Sequence, residues 1–380
     1  GLHPGMVLAM SIGRLRSALL SLSLLAGLAA GCTNHSAPKA SSTTKVSLQV
    51  LSGQGQLLSD PAINLRALAC PSEDGCMAVG SGASESPAWF QSSQDSPWLP
   101  SKVPNNSADL YALACSAADF CMAGGSDRNV FSPTPQLWRS VDGGQAWIKT
   151  RSPRSLGTVQ RIACSSLACV LIGLNAQGNW SASTKDGGRS WSAPKVLPAA
   201  LVAAGGISCE FQRCIVVGFG PDSTGNNVAV IASSTDLGAH WKLRDASGIS
   251  PLYGLSCRDA QHCEAVGISS ELSTDGSTQR RAILASGSFA AAWHQKNSRL
   301  LDPLVAGYAL SCEHLSNCVI GGSTSSGSPA ISQAALGTLL QGKLELIPLT
   351  YAPAAIAAIA CPGSLNCRAL GARSVITFKP

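Results

Sequence analysis

Short runs of alternating large and small apolar side chains recur along the chain, and Leu65-Arg66-Ala67-Leu68-Ala69-Cys70 is the first clear case. Alternation at period two predicts a β-strand with bulk on one face and small side chains on the other, so that neighbouring sheets can pack closely. A second run follows after a short gap, as in Cys76-Met77-Ala78-Val79-Gly80. Each such unit reads as two strands joined by a loop of four or five residues, with a cysteine at each base of the loop.

The unit occurs seven times. Its cysteine pairs are Cys70/Cys76, Cys115/Cys121, Cys164/Cys169, Cys209/Cys214, Cys257/Cys263, Cys312/Cys318 and Cys361/Cys367, beginning 45–55 residues apart. Leu or Ile stands two residues before the first cysteine of every pair, and Ala or Ser directly before it. Four residues after the second cysteine there is always a glycine: Gly80, Gly125, Gly173, Gly218, Gly267, Gly322 and Gly371. A glycine fixed at one place in a strand predicts a turn or a close backbone approach. Cysteines at the two bases of a hairpin loop lie opposite one another, within reach of a bond. Zinc sites favour two-residue gaps and need two pairs each, whereas the gaps here are longer and the number of pairs is odd. Seven disulfides and no metal are therefore expected, with metal or redox chemistry as the alternative.

Between the cysteine pairs lies a second pattern, S/T-x-D-x-G-x-x-W, at Ser140–Trp147, Thr184–Trp191 and Ser234–Trp241. An Asp carboxylate can accept N–H bonds inside a turn, Gly tolerates positive φ, and Trp packs beneath. Degenerate copies are expected to end in Trp98 and Trp293, and the last two units lack the pattern. The motif resembles the Asp-box of bacterial neuraminidase repeats, which sits between the third and fourth strands of a propeller blade. That resemblance implies a folding role for Asp142, Asp186 and Asp236 rather than a catalytic one.

Together the units read strand, cysteine loop, strand, variable loop, strand, Asp-box, strand. Four strands per 45–55 residues is the period of a β-propeller. The expectation is an all-β, seven-bladed β-propeller with one disulfide per blade in the first hairpin. The last unit holds only three strands, and Val46–Leu51 is expected to supply the fourth, so that the N-terminal strand closes the ring and removes free edges.

The N-terminus sets the compartment. Arg14 and Arg16 precede an apolar run from Ala18 to Ala30 and then Gly31-Cys32. A positive start, a short apolar stretch and small residues are the parts of an export signal, and thirteen residues are too few for a permanent membrane span. Ala29-Ala30-Gly31-Cys32 resembles the lipobox of bacterial lipoproteins, which implies lipidation of Cys32; the family prefers Leu at the place of Ala29. Translation is expected to begin at Met10, with Met6 as the alternative. Residues 10–31 read as a lipoprotein signal peptide, residues 32–44 as the lipidated cysteine and a Ser/Thr/Ala/Pro-rich tether, and residues 45–380 as the propeller. Fourteen of the fifteen cysteines pair, and Cys32 is the one left over. The expected location is extracytoplasmic, on a bacterial membrane, periplasmic or cell-surface.

Charge adds a limit. The formal net charge of +6 is dispersed, with no basic run longer than Arg280-Arg281, so a nucleic-acid surface is not expected. Abundant Gly and only 13% charged residues suit short strands and turns rather than long helices. No cofactor is expected, since no glycine-rich phosphate loop opens a helix and the histidines are scattered.

Binding residues are sought opposite the cysteine loops, on the rim carrying the loops after the second strands. The longest of these are expected at 126–136, 219–227 and 268–281. Arg128, Arg151, Arg154, Asp222, Arg280 and Arg281 fall on or near that rim, and Arg66 and Arg161 on innermost strands beside the channel. Tyr111, Tyr253 and Tyr308 all stand four residues before a first cysteine, which predicts packing between blades. Sialidases share the Asp-box, but their arginine motif near the first blade is absent, they have six blades, and no catalytic pair of carboxylates stands out; no catalytic residue is assigned. The whole propeller also resembles the photosystem II assembly and stability factors, seven-bladed Asp-box propellers that bind membrane-protein intermediates. That resemblance implies a monomeric binding or assembly scaffold with a protein partner. Glycan binding or hydrolysis is the alternative.

Overall fold

The computed structural model describes residues 56–57 and, apart from short stretches, residues 62–378. Its described strands form seven antiparallel sheets of four strands each. The first strands of the sheets are Asn64–Ala69, Ala108–Cys115, Thr158–Ser165, Ala203–Glu210, Leu252–Asp259, Ala306–His314 and Ala358–Ala360. Each neighbours the first strand of the blade before and after it, and the seventh returns to the first. These innermost strands therefore surround a central axis, and the chain is a seven-bladed β-propeller.

The ring closes in blade 7, where Ala358–Ala360, Cys367–Leu370 and Ser374–Phe378 are joined by Gln56–Leu57. Gln56 pairs with Val375 and Leu57 with Ser374. The strand expected at Val46–Leu51 lies outside the described residues, and the observed closing pair comes a few residues later. Connection length explains the position. In blades 1 to 5, the first strand of the next blade begins six to nine positions after the outermost strand ends, and Asn64 stands seven positions after Leu57.

The seven cysteine pairs are all disulfides, with Cα–Cα distances of 4.1–4.2 Å. In the middle blades the two residues pair directly across the hairpin, as Cys115 with Cys121 and Cys209 with Cys214. Closing so small a loop contributes about 2 kcal/mol on the chain-entropy account. So many disulfides fit an oxidising compartment outside the cytoplasm.

The structure buries the two members of each pair unequally. The first cysteines, Cys70, Cys115, Cys164, Cys209, Cys257, Cys312 and Cys361, are half-buried. The second ones, Cys76, Cys121, Cys169, Cys214, Cys263, Cys318 and Cys367, are buried. Strand position is the reason. Each second cysteine is the first or second residue of the second strand of its blade, with neighbours on both sides in the sheet, and packs into an apolar cluster against the preceding blade. Cys169 lies among Phe120, Met122 and Leu171, Cys263 among Ile215, Ala265 and Trp293, and Cys318 among Leu284, Leu304 and Ile320. Bonded and enclosed in this way, these cysteines are core residues rather than an accessible site for metal or thiol exchange.

The recurring glycine has a specific cause. Innermost strands carry a β-bulge four residues before the first cysteine, at Arg66, Tyr111, Gln160, Gly205, Tyr253 and Tyr308. In each of these blades the glycine of the second strand pairs with the residue just before the bulge, as Gly125 with Leu110 and Gly218 with Ala204. A Cβ at Gly125 would lie 1.8 Å from the Asp109 carbonyl oxygen, and one at Gly322 would lie 1.9 Å from that of Ala306. The bulge brings the first strand so close that only glycine fits opposite it. Of the two expectations for this glycine, close approach is the one realised.

Packing is organised by seams. Each of seven apolar clusters lies between two adjacent blades, such as Met77, Val79, Leu110 and Trp138 between blades 1 and 2. Leu65, Leu110, Val159 and Leu252 on the bulky face of the first strands are wholly buried. The outermost strands pair few residues and carry a Lys or Arg at most edges (Lys149, Lys195, Lys242, Arg299, Lys343), which discourages further strand addition.

Candidate functional site

Antiparallel connectivity puts the cysteine loops and the turns between third and fourth strands on one rim, here the disulfide rim. The turns after second strands and the links between blades form the other, the open rim. The two rims are built differently.

On the disulfide rim the three S/T-x-D-x-G-x-x-W turns, the boxes of this chain, share one set of hydrogen bonds. Ser140 Oγ donates to Asp142 Oδ1 at 2.7 Å, Gly144 N–H donates to Ser140 Oγ at 2.8 Å, and Ala146 N–H donates to Asp142 Oδ1 at 3.0 Å. Thr184 with Asp186 and Ser234 with Asp236 repeat the set. The Ser190 hydroxyl and N–H, with Thr184, hold the Asp186 carboxyl well below the ordinary carboxylate range. Each turn also donates one N–H to its own cysteine loop: Gly143 to Asp119, Gly187 to Leu167 and Leu237 to Gln212. A chain of side-chain bonds continues from blade to blade. Ser116 donates to the Ser166 carbonyl, Phe211 N–H to Ser165, Ala260 N–H to Glu210, Cys312 N–H to Ser256 and Cys361 N–H to Ser311. These aspartates hold turns. They are not poised for proton transfer.

Trp98 and Trp293 are buried, as the degenerate boxes require, and Trp293 lies over Gly287, which replaces the box serine. In blade 6, which lacks the box, the strand Ile331–Leu340 turns at Gly342 into a fourth strand of five residues, Lys343–Ile347. The residue after the second cysteine is apolar in five blades, but Glu264 in blade 5 and Arg368 in blade 7. Glu264 is buried and accepts from Ser286 Oγ at 2.8 Å; burial raises it to about 7 against the opposing pull of Ser286 and Arg299. Arg368, also buried, reaches across the seam to Gln91 Oε1 at 3.1 Å.

The open rim divides into two halves. Around blades 1 to 3 it is ionic. Arg66, exposed on the first strand of blade 1, donates to Ser81 Oγ and stands 5.9 Å from the Tyr111 ring of blade 2. Asp109 accepts from Gly82 N–H at 2.9 Å and from Arg128 Nε at 3.2 Å. Arg161 donates to the Gly205 carbonyl of blade 4 and to that of Gln160, both at 2.7 Å, and burial lowers its pKa. Its guanidinium ties a seam. Around blades 4 to 6 the rim is aromatic. Phe219 lies 5.4 Å from Tyr253, and Tyr253 lies 6.1 Å from Tyr308, so three rings cross two seams in a row.

The two loops expected at 219–227 and 268–281 are shorter, because the strands beside them run further. Strands Arg213–Pro221 and Asn227–Ser234 continue almost to the turn of blade 4, and His262–Leu272 and Thr278–Gly287 do so in blade 5. Arg280 and Arg281 are therefore strand residues, paired with Ser270 and Ser269. The polar content that suggested loops reflects strands that rise beyond the packed blade into water, where neither face needs apolar side chains. Arg280 is exposed, whereas Arg281 makes a two-pronged bond to Asp302 at 3.1 and 2.9 Å. Asp222 accepts from Thr224 and Asn226 within its own turn. Arg151 is exposed in the link after blade 2, and Arg154 lies outside the described residues.

Three aspartates on this rim are held as carboxylates rather than poised as acids. The Thr134 hydroxyl holds Asp127, the Thr224 hydroxyl holds Asp222, and the Ser247 hydroxyl holds Asp245 below the usual range. A glycosidase acid needs the opposite shift. Tyr111 and Tyr253 are raised, chiefly by burial, which keeps both phenols protonated rather than nucleophilic. Sequence reasoning located the tyrosines by their shared register but missed Phe219 and Asp109. The signal for both is position: Asp109 stands two residues before a bulge, and Phe219 directly follows a repeat glycine.

No family model matches the sequence, and no curated protein matches it. Solved structures do. YCF48 bound to a D1 peptide aligns with a TM-score of 0.57 at 13% identity, over 86% of this chain and 96% of that one. The GH74 xyloglucanase from Xanthomonas campestris aligns at 0.60 and 12% identity, over 85% of this chain but 52% of that enzyme. The WD40 β-propeller domain of Doa1 aligns at 0.56 and 11% identity, over 85% and 95% of the two chains. At these identities the likeness establishes the propeller fold and no more.

Proposed function

We propose that this chain is an extracytoplasmic propeller, tethered to a membrane through a lipid on Cys32, that binds a protein segment across its open rim. One observation carries the reading: the open rim offers partly exposed Tyr253 and Tyr308 in contact with each other, next to the exposed Arg280. Tyr and Arg on a rigid frame are the side chains that dominate protein recognition. The engaged, pKa-lowered aspartates weigh against the alternative of glycoside hydrolysis. Among the structural neighbours, the one with a D1 peptide bound matches nearly end to end, which favours a peptide-like ligand over the xyloglucanase precedent.

The test is affinity capture from solubilised membranes with the full chain, followed by measurement of binding to each enriched protein. The expected result is a partner whose affinity falls roughly tenfold or more in Tyr253→Ser/Tyr308→Ser, in line with the loss of two interface anchors. Retained affinity in that variant, or release of sugar from oligosaccharides by the wild-type chain, would replace this reading with the glycan one.

A further inference from the structure

The rim opposite the binding site also has exposed apolar side chains, and the course of the chain says what they face. Gln56 pairs with Val375 and Leu57 with Ser374, and the strand Ser374–Phe378 runs from the open rim to the disulfide rim. The antiparallel strand Gln56–Leu57 therefore runs the other way, so the chain enters it from the disulfide rim. Twenty-four positions separate Cys32 from Gln56.

On that rim, three adjacent blades each hold out one apolar side chain. They are Val141 on the Asp-box turn of blade 2, Leu167 on the cysteine loop of blade 3 and Phe211 on the cysteine loop of blade 4, with exposures of 51%, 47% and 77%. Phe211 is the most telling. Its backbone sits at φ 52°, a region that L-residues other than Asn and Asp seldom occupy, and its N–H is fixed on Ser165 Oγ at 3.1 Å. Ser166 takes the same conformation (φ 55°) at the equivalent place of the blade 3 loop, so the shape belongs to the four-residue cysteine loop; in blade 4 it displays a phenyl ring that contributes little to the core. Lys185 and Arg189 on the neighbouring box are exposed, while Asp186, Asp236 and Glu210 offset them with carboxylates held in turn and loop bonds. With both signs present, the surface has no preference for anionic lipid. Apolar side chains displayed beside long basic ones suit the boundary between headgroups and acyl chains.

We infer that the disulfide rim of blades 2 to 4 rests on the lipid surface, with Phe211, Leu167 and Val141 dipping into the interface and the open rim turned away from the membrane. The inference rests on the tethered reading above. A contact this small would not hold a free protein, but a tether entering on the same side raises the effective concentration enough to keep it occupied.

The experiment separates the docking face from the anchor. The full mature chain carrying Cys32→Ser and an N-terminal histidine tag is attached to neutral phosphatidylcholine vesicles containing a nickel-chelating lipid and brominated acyl chains. Tryptophan is introduced as Phe211→Trp, or as Tyr308→Trp on the open rim. The added fluorescence of Phe211→Trp is expected to fall by at least about a third on vesicles, unaffected by salt, with no loss for Tyr308→Trp. Equal quenching at both positions, or none at Phe211→Trp, would overturn the inference. Intact disulfides in each variant, checked by mass after alkylation, show that it has folded. Mass analysis of the N-terminal peptide of the unmodified protein tests Cys32 lipidation on its own. An unlipidated Cys32 with quenching intact would remove the natural anchor and leave the docking face standing.

Discussion

The two rims of this propeller follow opposite rules. On the disulfide rim, blade after blade repeats one cysteine loop, and three Asp-boxes repeat one hydrogen-bond set. On the open rim the hairpins differ in reach: blade 3 turns between Asn175 and Gly178, while the strands of blade 5 run on to Leu272 and Thr278. Repetition marks what every blade needs to stand beside its neighbours. Departure from repetition marks what only one place in the ring does.

The sharpest way to break that contrast is to make one substitution on each side of it. Gly125→Ala forces a methyl group against the Asp109 carbonyl beneath the bulge. It is expected to cost about 3–5 kcal/mol or to prevent folding. Gly225→Ala sits at φ 87° on the blade 4 hairpin tip with nothing within 4 Å of the added carbon. It should cost only about 1 kcal/mol, the backbone term alone. Urea unfolding of the two variants measures the difference, and similar losses would mean that the repeat glycine is not set by the bulge.

A smaller effect is expected at Glu264, the acid in a register that is apolar in five of the seven blades. Its folded pKa of about 7 lies above the ordinary value. The folded protein therefore keeps a proton that the unfolded chain releases, and stability should fall as pH rises from about 4.5 to 7. Glu264→Gln removes that slope and should be the more stable protein at pH 8, by roughly 1–3 kcal/mol. Parallel pH profiles of the two proteins would refute this.

The smallest effect belongs to an Asp-box. Because the folded pKa of Asp186 is depressed, its contribution is present above the unfolded value and is lost as pH falls through the folded one. Melting temperatures taken from pH 5 down to pH 2 should therefore decline less steeply in Asp186→Asn than in the wild-type chain. An unchanged slope would show that the box bonds do not depend on the charge.

Nearly all of the disulfide rim was legible before any coordinates, because a constraint met seven times leaves the same residue type at the same offset seven times. Even the bulge left a trace there, in the invariant Gly80, Gly125 and Gly218, although its cause needed three dimensions. The unequal burial of the two cysteines in a pair left none, since it depends on which strand of a blade the preceding blade covers. The open rim was legible only in part. Arg66 and Tyr111 could be placed on inner strands by counting back from a cysteine, but their mutual contact depends on which blades are neighbours at the bulge layer. The polar hairpins of blades 4 and 5 looked like loops because strands that leave the core lose the alternation by which strands are recognised. Arg281 was placed near the right rim, but its bond to Asp302 joins a strand to a link between blades, and no local pattern encodes such a pair.

The disulfides carry a last consequence, for the order of events as the chain is made. Fourteen cysteines could join in on the order of 10⁵ ways. Here each bonds the next cysteine along the chain, five or six residues away. An oxidant that meets the polypeptide as it emerges can therefore seal each thiol to its first available neighbour and be right every time. Each hairpin is locked before its blade has a neighbour to lean on, and wrong links need never be undone. Only the last event is non-local. Gln56 and Leu57 emerge early and wait for Ser374 and Val375, so the ring closes once all seven staples are already in place.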